Sequence, residues 1–151
     1  TENILVEMSA VNTNHPVVNA VLNQKFHLAR EQGTSMIFKV GDMSGMRLNE
    51  EETVILLSNL LDNAIRECVK VVKAGRKAVI HIKLVQEDGK IIFSVKNPVV
   101  EKVQITDGIV QDSNGGMHGI GLSNVKAVVD KYGGDFVISC DSEKFQAVVM
   151  L

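Results

Sequence analysis

The sequence predicts a two-layer α/β sandwich, with helices packed on one face of a mixed, mostly antiparallel sheet. Three observations carry that expectation. Helical periodicity occurs in three separated stretches, and strand patterns come in adjacent pairs. Strict β-α alternation is missing, which excludes a doubly wound parallel sheet. The 151 residues, 45% of them apolar, suffice for one substantial core and not for two.

The elements follow in order. Thr1 to Asn14 are mixed in character and read as a linker or the remnant of an upstream dimerisation domain, leaving residues 15–151 as one domain. In "NHPVVNAVLNQKFHLAREQG" Pro16 sits like a first-turn proline. Val17, Val18, Val21, Leu22, Leu28 and Ala29 are helix-spaced, and Gly33 suits a stop. "SMIFKV" reads as a strand and "GDMSG" as a turn. A long helix is expected from Asn49 to Lys73. Asn49 is its N-cap, three glutamates follow in the first turn, and Gly75 ends it. "KAVIHIKLVQ" and "KIIFSVKN" are strands joined at Asp88-Gly89, a strong hairpin signal, and Pro98 stops the second. The stretch 99–118 lacks periodicity and reads as a binding loop or lid. A helix from Gly121 to Tyr132 and two strands, "DFVISC" and "FQAVVML", complete the chain.

Composition limits the partners. A net charge of −2 argues against a general nucleic-acid or anionic-membrane surface. No apolar run approaches the roughly 20 residues of a membrane span. Thr1 in place of a start methionine suggests a piece of a longer protein. Cys68 and Cys140, far apart and outside any CxxC, read as reduced thiols of a cytosolic protein.

Two motifs carry chemistry. In "TVILLSNLLDNAIRECVKVV", Leu57, Leu60, Leu61, Ala64, Cys68 and Val72 share one broad helical face. Asn59, Asn63, Arg66 and Lys70 form a stripe opposite, with Asp62 beside it. Asparagine is a poor choice for a plain solvated face in mid-helix. An amide oxygen can hold Mg²⁺ directly or through water, and Arg66 could reach an anion there. The second motif is "GGMHGIGLSNVKAVVDKYGG". No Gly-Lys-Ser/Thr follows its glycines, so it is not a P-loop, and it lacks the third glycine of a dinucleotide fingerprint. Glycines and free helix N–H groups near Gly121 to Ser123 nonetheless suit an anion.

Together, "NLLDNAIREC" and "HGIGLSNVKAVVDKYGG" resemble the GHKL ATP-binding family, which includes DNA gyrase B, MutL and the catalytic domains of sensor histidine kinases. The resemblance covers Asn14 to Leu151 and implies the Bergerat fold, with 99–118 as the ATP lid. It implies ATP and Mg as cofactors. Asn63 falls at the Mg-binding asparagine, with Asn59 a second candidate ligand, and these two are the implied catalytic residues. Arg66 stands where many histidine kinases carry a phosphate-contacting lysine. His118, Gly119, Ile120, Gly121, Leu122 and Ser123 match the turn that wraps the phosphates, and Lys126 resembles a position often lysine in the family.

Two departures matter. The family's D-x-G-x-G box, whose Asp reads the adenine amino group, is here "FSVKNPVV". Asn97 can still accept from an exocyclic amine. This pattern resembles the peptide-pheromone-receptor subgroup of sensor kinases. Asn59 stands where gyrase-like members have the glutamate that activates water, and an amide cannot act as a general base. Phosphoryl transfer to a partner nucleophile is therefore expected over hydrolysis. His15, His27 and His81 read as packing or surface residues. The phosphoacceptor is thus expected on the protein's own dimerisation domain, outside this chain, with a cognate response regulator downstream. The implied protein is a cytosolic, monomeric catalytic domain of a membrane-anchored sensor. The alternatives are a degenerate module that only binds a partner protein, or a serine kinase of the anti-sigma-factor type.

Overall fold

The structure is a computed structural model that describes residues 3–5, 12–102, 104–106, 109–111 and 118–151, with the backbone path alone at 3–5, 104–106, 109–111 and 118–120. The elements in chain order are β1 (Asn3–Leu5), α1 (Pro16–Glu31), β2 (Ser35–Val40), α2 (Glu50–Lys73), β3 (Val79–Glu87), β4 (Lys90–Pro98), β5 (Gln104–Thr106), β6 (Ile109–Gln111), α3 (His118–Lys131), β7 (Asp135–Cys140) and β8 (Lys144–Met150). The main sheet runs β1-β2-β3-β4-β8-β7. Only β2 and β3 pair in parallel, so the sheet is mixed and mostly antiparallel as expected. The three helices cover one face, with α2 in the middle, packed on α1, α3 and β4.

Local chemistry sets these elements. His15 caps α1, its Nδ1 accepting from the Val18 amide at 3.3 Å, while Pro16 opens the helix with φ already set. Asn49 and Glu52 form a reciprocal capping box at the start of α2: Asn49 Oδ1 accepts from the Glu52 amide at 2.8 Å and Glu52 Oε1 accepts from the Asn49 amide at 3.1 Å. Asp88 and Gly89 both take positive φ, which closes the β3–β4 hairpin. Leu56, Leu57, Leu60 and Leu61 of α2 are buried against Phe38, Ile80, Ile82, Phe93 and Phe145 of the sheet. Burying each leucine stabilises the sandwich by about 2 kcal/mol.

Several expectations need correction. Leu28, placed on the buried face of the first helix, is 38% exposed, and Phe26 takes the core position instead. The 3.6-residue repeat carries position 28 past the seam that Val18, Val21, Leu22 and Ala29 define. Val72 packs only partly against the core. The last helix starts at His118, three residues before the expected Gly121, because glycine weakens a helix without stopping it. It ends at Lys131, where Gly133 has φ +67°, so Tyr132 lies just outside it. The stretch taken as aperiodic contains the β5–β6 hairpin, which lies beside α3 and β7. Much of the expected lid, 99–118, lies outside the described residues; at its start Val99 is fully buried and its amide donates to the Glu143 carbonyl at 2.9 Å. Within the expected linker, β1 pairs antiparallel with β2.

Candidate functional site

The stripe of amides on α2 is not a solvated face. Asn63 is only 4% exposed. Burial here extends beyond the leucine face because α2 packs on both α1 and α3, and Asn59, one turn earlier, is half-buried. Arg66, one turn later, is exposed. Lys70, the last of the stripe, is taken by Glu67 at 2.9 Å. Asn97 stands on β4 in the same file as Phe93 and Val95, the face the helices cover, and is 2% exposed. Its Nδ2 donates to the Pro98 carbonyl at 2.9 Å, which leaves its Oδ1 as the free acceptor.

Asn63 Oδ1 and Asn97 Oδ1 are both buried without a hydrogen-bond partner among the described residues. A buried amide oxygen left unpaired costs about 1–3 kcal/mol, so native structures seldom keep one without a use. Here two occur on adjoining elements, at two of the positions the sequence singles out. The third such atom, Thr34 Oγ1, lies at the α1–β2 turn and belongs to neither motif.

The second motif meets the first at Gly121. A Cβ built on Gly121 would stand 3.1 Å from Asn59 Oδ1 and 3.5 Å from its Cγ. A side chain at this position would crowd the Asn59 amide, which would have to give by a few tenths of an ångström, so the opening turn of α3 lies close against α2 at Asn59. That turn holds no acidic residue, and its first backbone N–H groups form the positive end of the helix dipole. Leu122 is 1% exposed and belongs to the core, so it anchors the turn by packing. Ser123 is exposed at the surface of α3. Lys126 pairs with Asp130 at 2.8 Å on the outer side of the helix. The side chains of His118, Gly119 and Ile120 lie outside the described residues.

The relation of α2 to α3 is fixed at their far ends by a cluster the sequence reading missed. Glu52 Oε2 accepts from Lys131 Nζ at 2.6 Å, and Glu52 Oε1 accepts a short hydrogen bond from the Tyr132 hydroxyl. The signal in the sequence was the capping pattern at Asn49–Glu52; its two partners lie about eighty positions on. Lys131, then Tyr132, then the Asn49 amide hold the Glu52 carboxyl down at about 2, from an ordinary 4.5. A carboxylate with a depressed folded value stabilises the fold above its unfolded value and ceases to do so as pH falls through the folded one. The contribution of Glu52 is therefore complete at neutral pH and fades from pH 4.5 down to about 2. Glu52→Gln should melt at a lower temperature than the parent at neutral pH, and the two melting curves should converge across that acid window. Circular dichroism melts against pH check this; a constant gap down to the acid end would refute it. A second tie, Lys25 to Asp62 at 2.8 Å, holds α1 to α2 beside Asn63.

Other chemistries find no support in the site. Burial, then Glu67, pushes the Cys68 thiol up to about 12, so it is no nucleophile at neutral pH. Among the described residues there is no cluster of three or more His, Cys, Asp or Glu arranged to hold a metal. An Asn63 oxygen with no partner still fits a hard cation whose other ligands are water and phosphate oxygens.

A family model described as the GHKL domain matches residues 48–151, a span that holds Asn59, Asn63, Arg66, Asn97 and Gly121. The chain belongs to the GHKL family. No curated protein matches it. Among solved structures, this GHKL domain is similar to the nucleotide-free catalytic domain of histidine kinase ThkA, with TM-score 0.65 and 13% identity over 100% of this chain and 95% of that one. It is similar to full-length ShkA in complex with AMPPNP, with TM-score 0.64 and 16% identity over 93% of this chain and 30% of that one. It also resembles the Acinetobacter baumannii histidine kinase AdeS, with TM-score 0.59 and 16% identity over 100% of this chain and 68% of that one. At these identities the likeness is one of fold. No helix of the described part of the GHKL domain is long and apolar enough to cross a membrane.

Proposed function

We propose that residues 15–151 form the Mg·ATP-binding catalytic domain of a sensor histidine kinase, which transfers the γ-phosphoryl group to a histidine on a dimerisation domain outside this chain. The observation that carries this reading is the pair of buried, unpartnered amide oxygens, Asn63 Oδ1 and Asn97 Oδ1, flanking α2 and β4. Family membership and the fold shared with histidine kinase catalytic domains agree with it.

Each residue then has a role. Asn97 Oδ1 accepts from the adenine amino group. Asn63 Oδ1 would hold Mg²⁺, with Asn59 the second candidate, and the metal would neutralise charge on the phosphates. Arg66, exposed one turn past Asn63, reaches outward to a phosphate oxygen. His118 to Ser123 present backbone N–H groups to the phosphates from the start of α3. Asn59, standing where gyrase-like members carry a glutamate, is an amide and cannot activate water as a general base. Positioning and charge neutralisation then suffice for an external histidine, which is already a nucleophile near neutral pH. The segment 99–118 serves as the lid, the domain acts as a monomer on the cytosolic side of a membrane-anchored sensor, and a response regulator takes the phosphoryl group onward.

Calorimetry with Mg·ATP tests the reading. Binding with negligible turnover by the isolated chain is expected. No heat at millimolar nucleotide would leave a module that only binds a partner protein. Robust hydrolysis would favour a gyrase-like ATPase, and phosphorylation of a serine on a small partner would favour the anti-sigma-factor type.

A further inference from the structure

Helix α2 buries an acid one turn beyond Asn63. Glu67 is 3% exposed, while Arg66 before it and Lys70 after it reach solvent. Its Oε2 accepts from Lys70 Nζ at 2.9 Å. The Lys70 side chain is 51% exposed and that of Glu67 only 4%. Taking a carboxylate out of water costs more than one ion pair with a half-exposed lysine returns. The pair alone gives no reason for an acid where an apolar side chain would pack.

Helix geometry sets this carboxylate beside Asn63. Residues four apart share one face, and a helical side chain leans back over the turn before it. Asn59, Asn63 and Glu67 thus form a row along α2 in steps of about 6 Å. Gly121 meets the row at Asn59, so the opening turn of α3 lies at one end and Glu67 at the other. Asn97 stands on β4, which packs against the same helix. Asn63 Oδ1, Asn97 Oδ1 and the Glu67 carboxylate are all acceptors. A ligand that meets all three must bring donors or a cation to them, not anionic oxygens.

We propose that Glu67 accepts hydrogen bonds from the ribose hydroxyls of the nucleotide and makes the site prefer a ribonucleotide to its deoxy forms. The inference rests on the nucleotide-binding reading above. With the phosphates at the α3 turn, the metal at Asn63 and the base at Asn97, the turn of α2 beyond Asn63 is left to the sugar, which joins phosphate to base. Phosphate oxygens would be repelled there. Two adjacent hydroxyls suit a carboxylate, which can accept about four hydrogen bonds, and Lys70 supplies one. The same lysine already matches the charge of Glu67, which makes it a poorer cation ligand than a bare carboxylate.

Competition calorimetry with the Mg complexes of ATP, 2′-deoxy-ATP and 3′-deoxy-ATP tests this. The parent should bind ATP about tenfold tighter than either deoxy form. In Glu67→Leu the three should bind within about twofold of one another. Glu67→Gln keeps the side-chain volume and one acceptor oxygen. It should retain a ratio of about threefold, because a neutral hydrogen bond has about half the strength of a charged one. This variant carries the test if the leucine variant folds poorly. Lys70→Met should keep the parent's ratio. A merely structural ion pair predicts otherwise: Glu67→Gln and Lys70→Met would weaken all three nucleotides alike and leave the ratio unchanged, which would overturn the proposal. Equal affinity of the parent for ATP and both deoxy forms would overturn it too, with the nucleotide-binding reading intact. No binding of any of the three by the parent would remove that reading and this inference with it. Binding of Mg²⁺ alone by the parent, lost in Glu67→Gln, would assign the carboxylate to the metal instead of the sugar.

Discussion

Asn63→Leu should abolish Mg·ATP binding and stabilise the empty protein. The two effects have one cause. Asn63 Oδ1 is buried with no partner among the described residues, so the folded chain bears the cost of stripping water from an amide. That cost is about 1–3 kcal/mol, and a leucine of similar volume at this 4% exposed position removes it while adding apolar burial. The ligand-free variant should therefore unfold at a higher denaturant concentration, by about 1 kcal/mol of added stability. The same substitution removes the oxygen that would hold the cation, and Mg·ATP affinity should fall at least about 100-fold, equivalent to about 2.7 kcal/mol. A purely structural asparagine would behave oppositely: its replacement would cost stability and leave binding nearly intact. Urea unfolding and calorimetry on the same preparations separate the two. A destabilised variant that still binds would remove Asn63 from the site.

The sequence made the site more legible than the sheet that carries it. Asn59 and Asn63 stood out because amides are poor mid-helix residues, and the structure explains their presence by burial and by the approach of Gly121. The α2 cap and the Asp88-Gly89 hairpin were legible for the same reason: each is decided within a few residues. What escaped depends on distant partners. Glu52 reads as an ordinary first-turn glutamate until Lys131 and Tyr132 arrive from α3. The placement of β8 between β4 and β7, and of the parallel β2–β3 pair across α2, leaves no local trace either. Three-residue strands such as β1, β5 and β6 are too short to show a period. Leu28 marks the reverse failure, an apolar residue with helical spacing that the fold leaves at the surface.

Asn97 should make the site choose ATP over GTP. Its amide cannot turn freely, because Nδ2 is held by the Pro98 carbonyl at 2.9 Å. That bond leaves Oδ1, a pure acceptor, to meet the proposed nucleotide. Adenine offers an amino group there, whereas guanine offers a carbonyl, so the wrong base meets acceptor with acceptor and leaves Asn97 unpaired in a buried setting. A site built around one such hydrogen bond rejects an analogue that lacks the donor far better than an apolar pocket rejects a shape. The parent should favour ATP by about 100-fold in competition binding. Asn97→Leu should weaken ATP and bring the ratio below about tenfold, since both bases then lose equally. Asn97→Asp is the informative control. Its carboxylate keeps an acceptor at the same place, as the family's own aspartate would, so discrimination should survive even though the tie to Pro98 is gone. Equal affinity of the parent for ATP and GTP, or discrimination that persists in Asn97→Leu, would place the base elsewhere and leave the orphaned oxygen of Asn97 without a function.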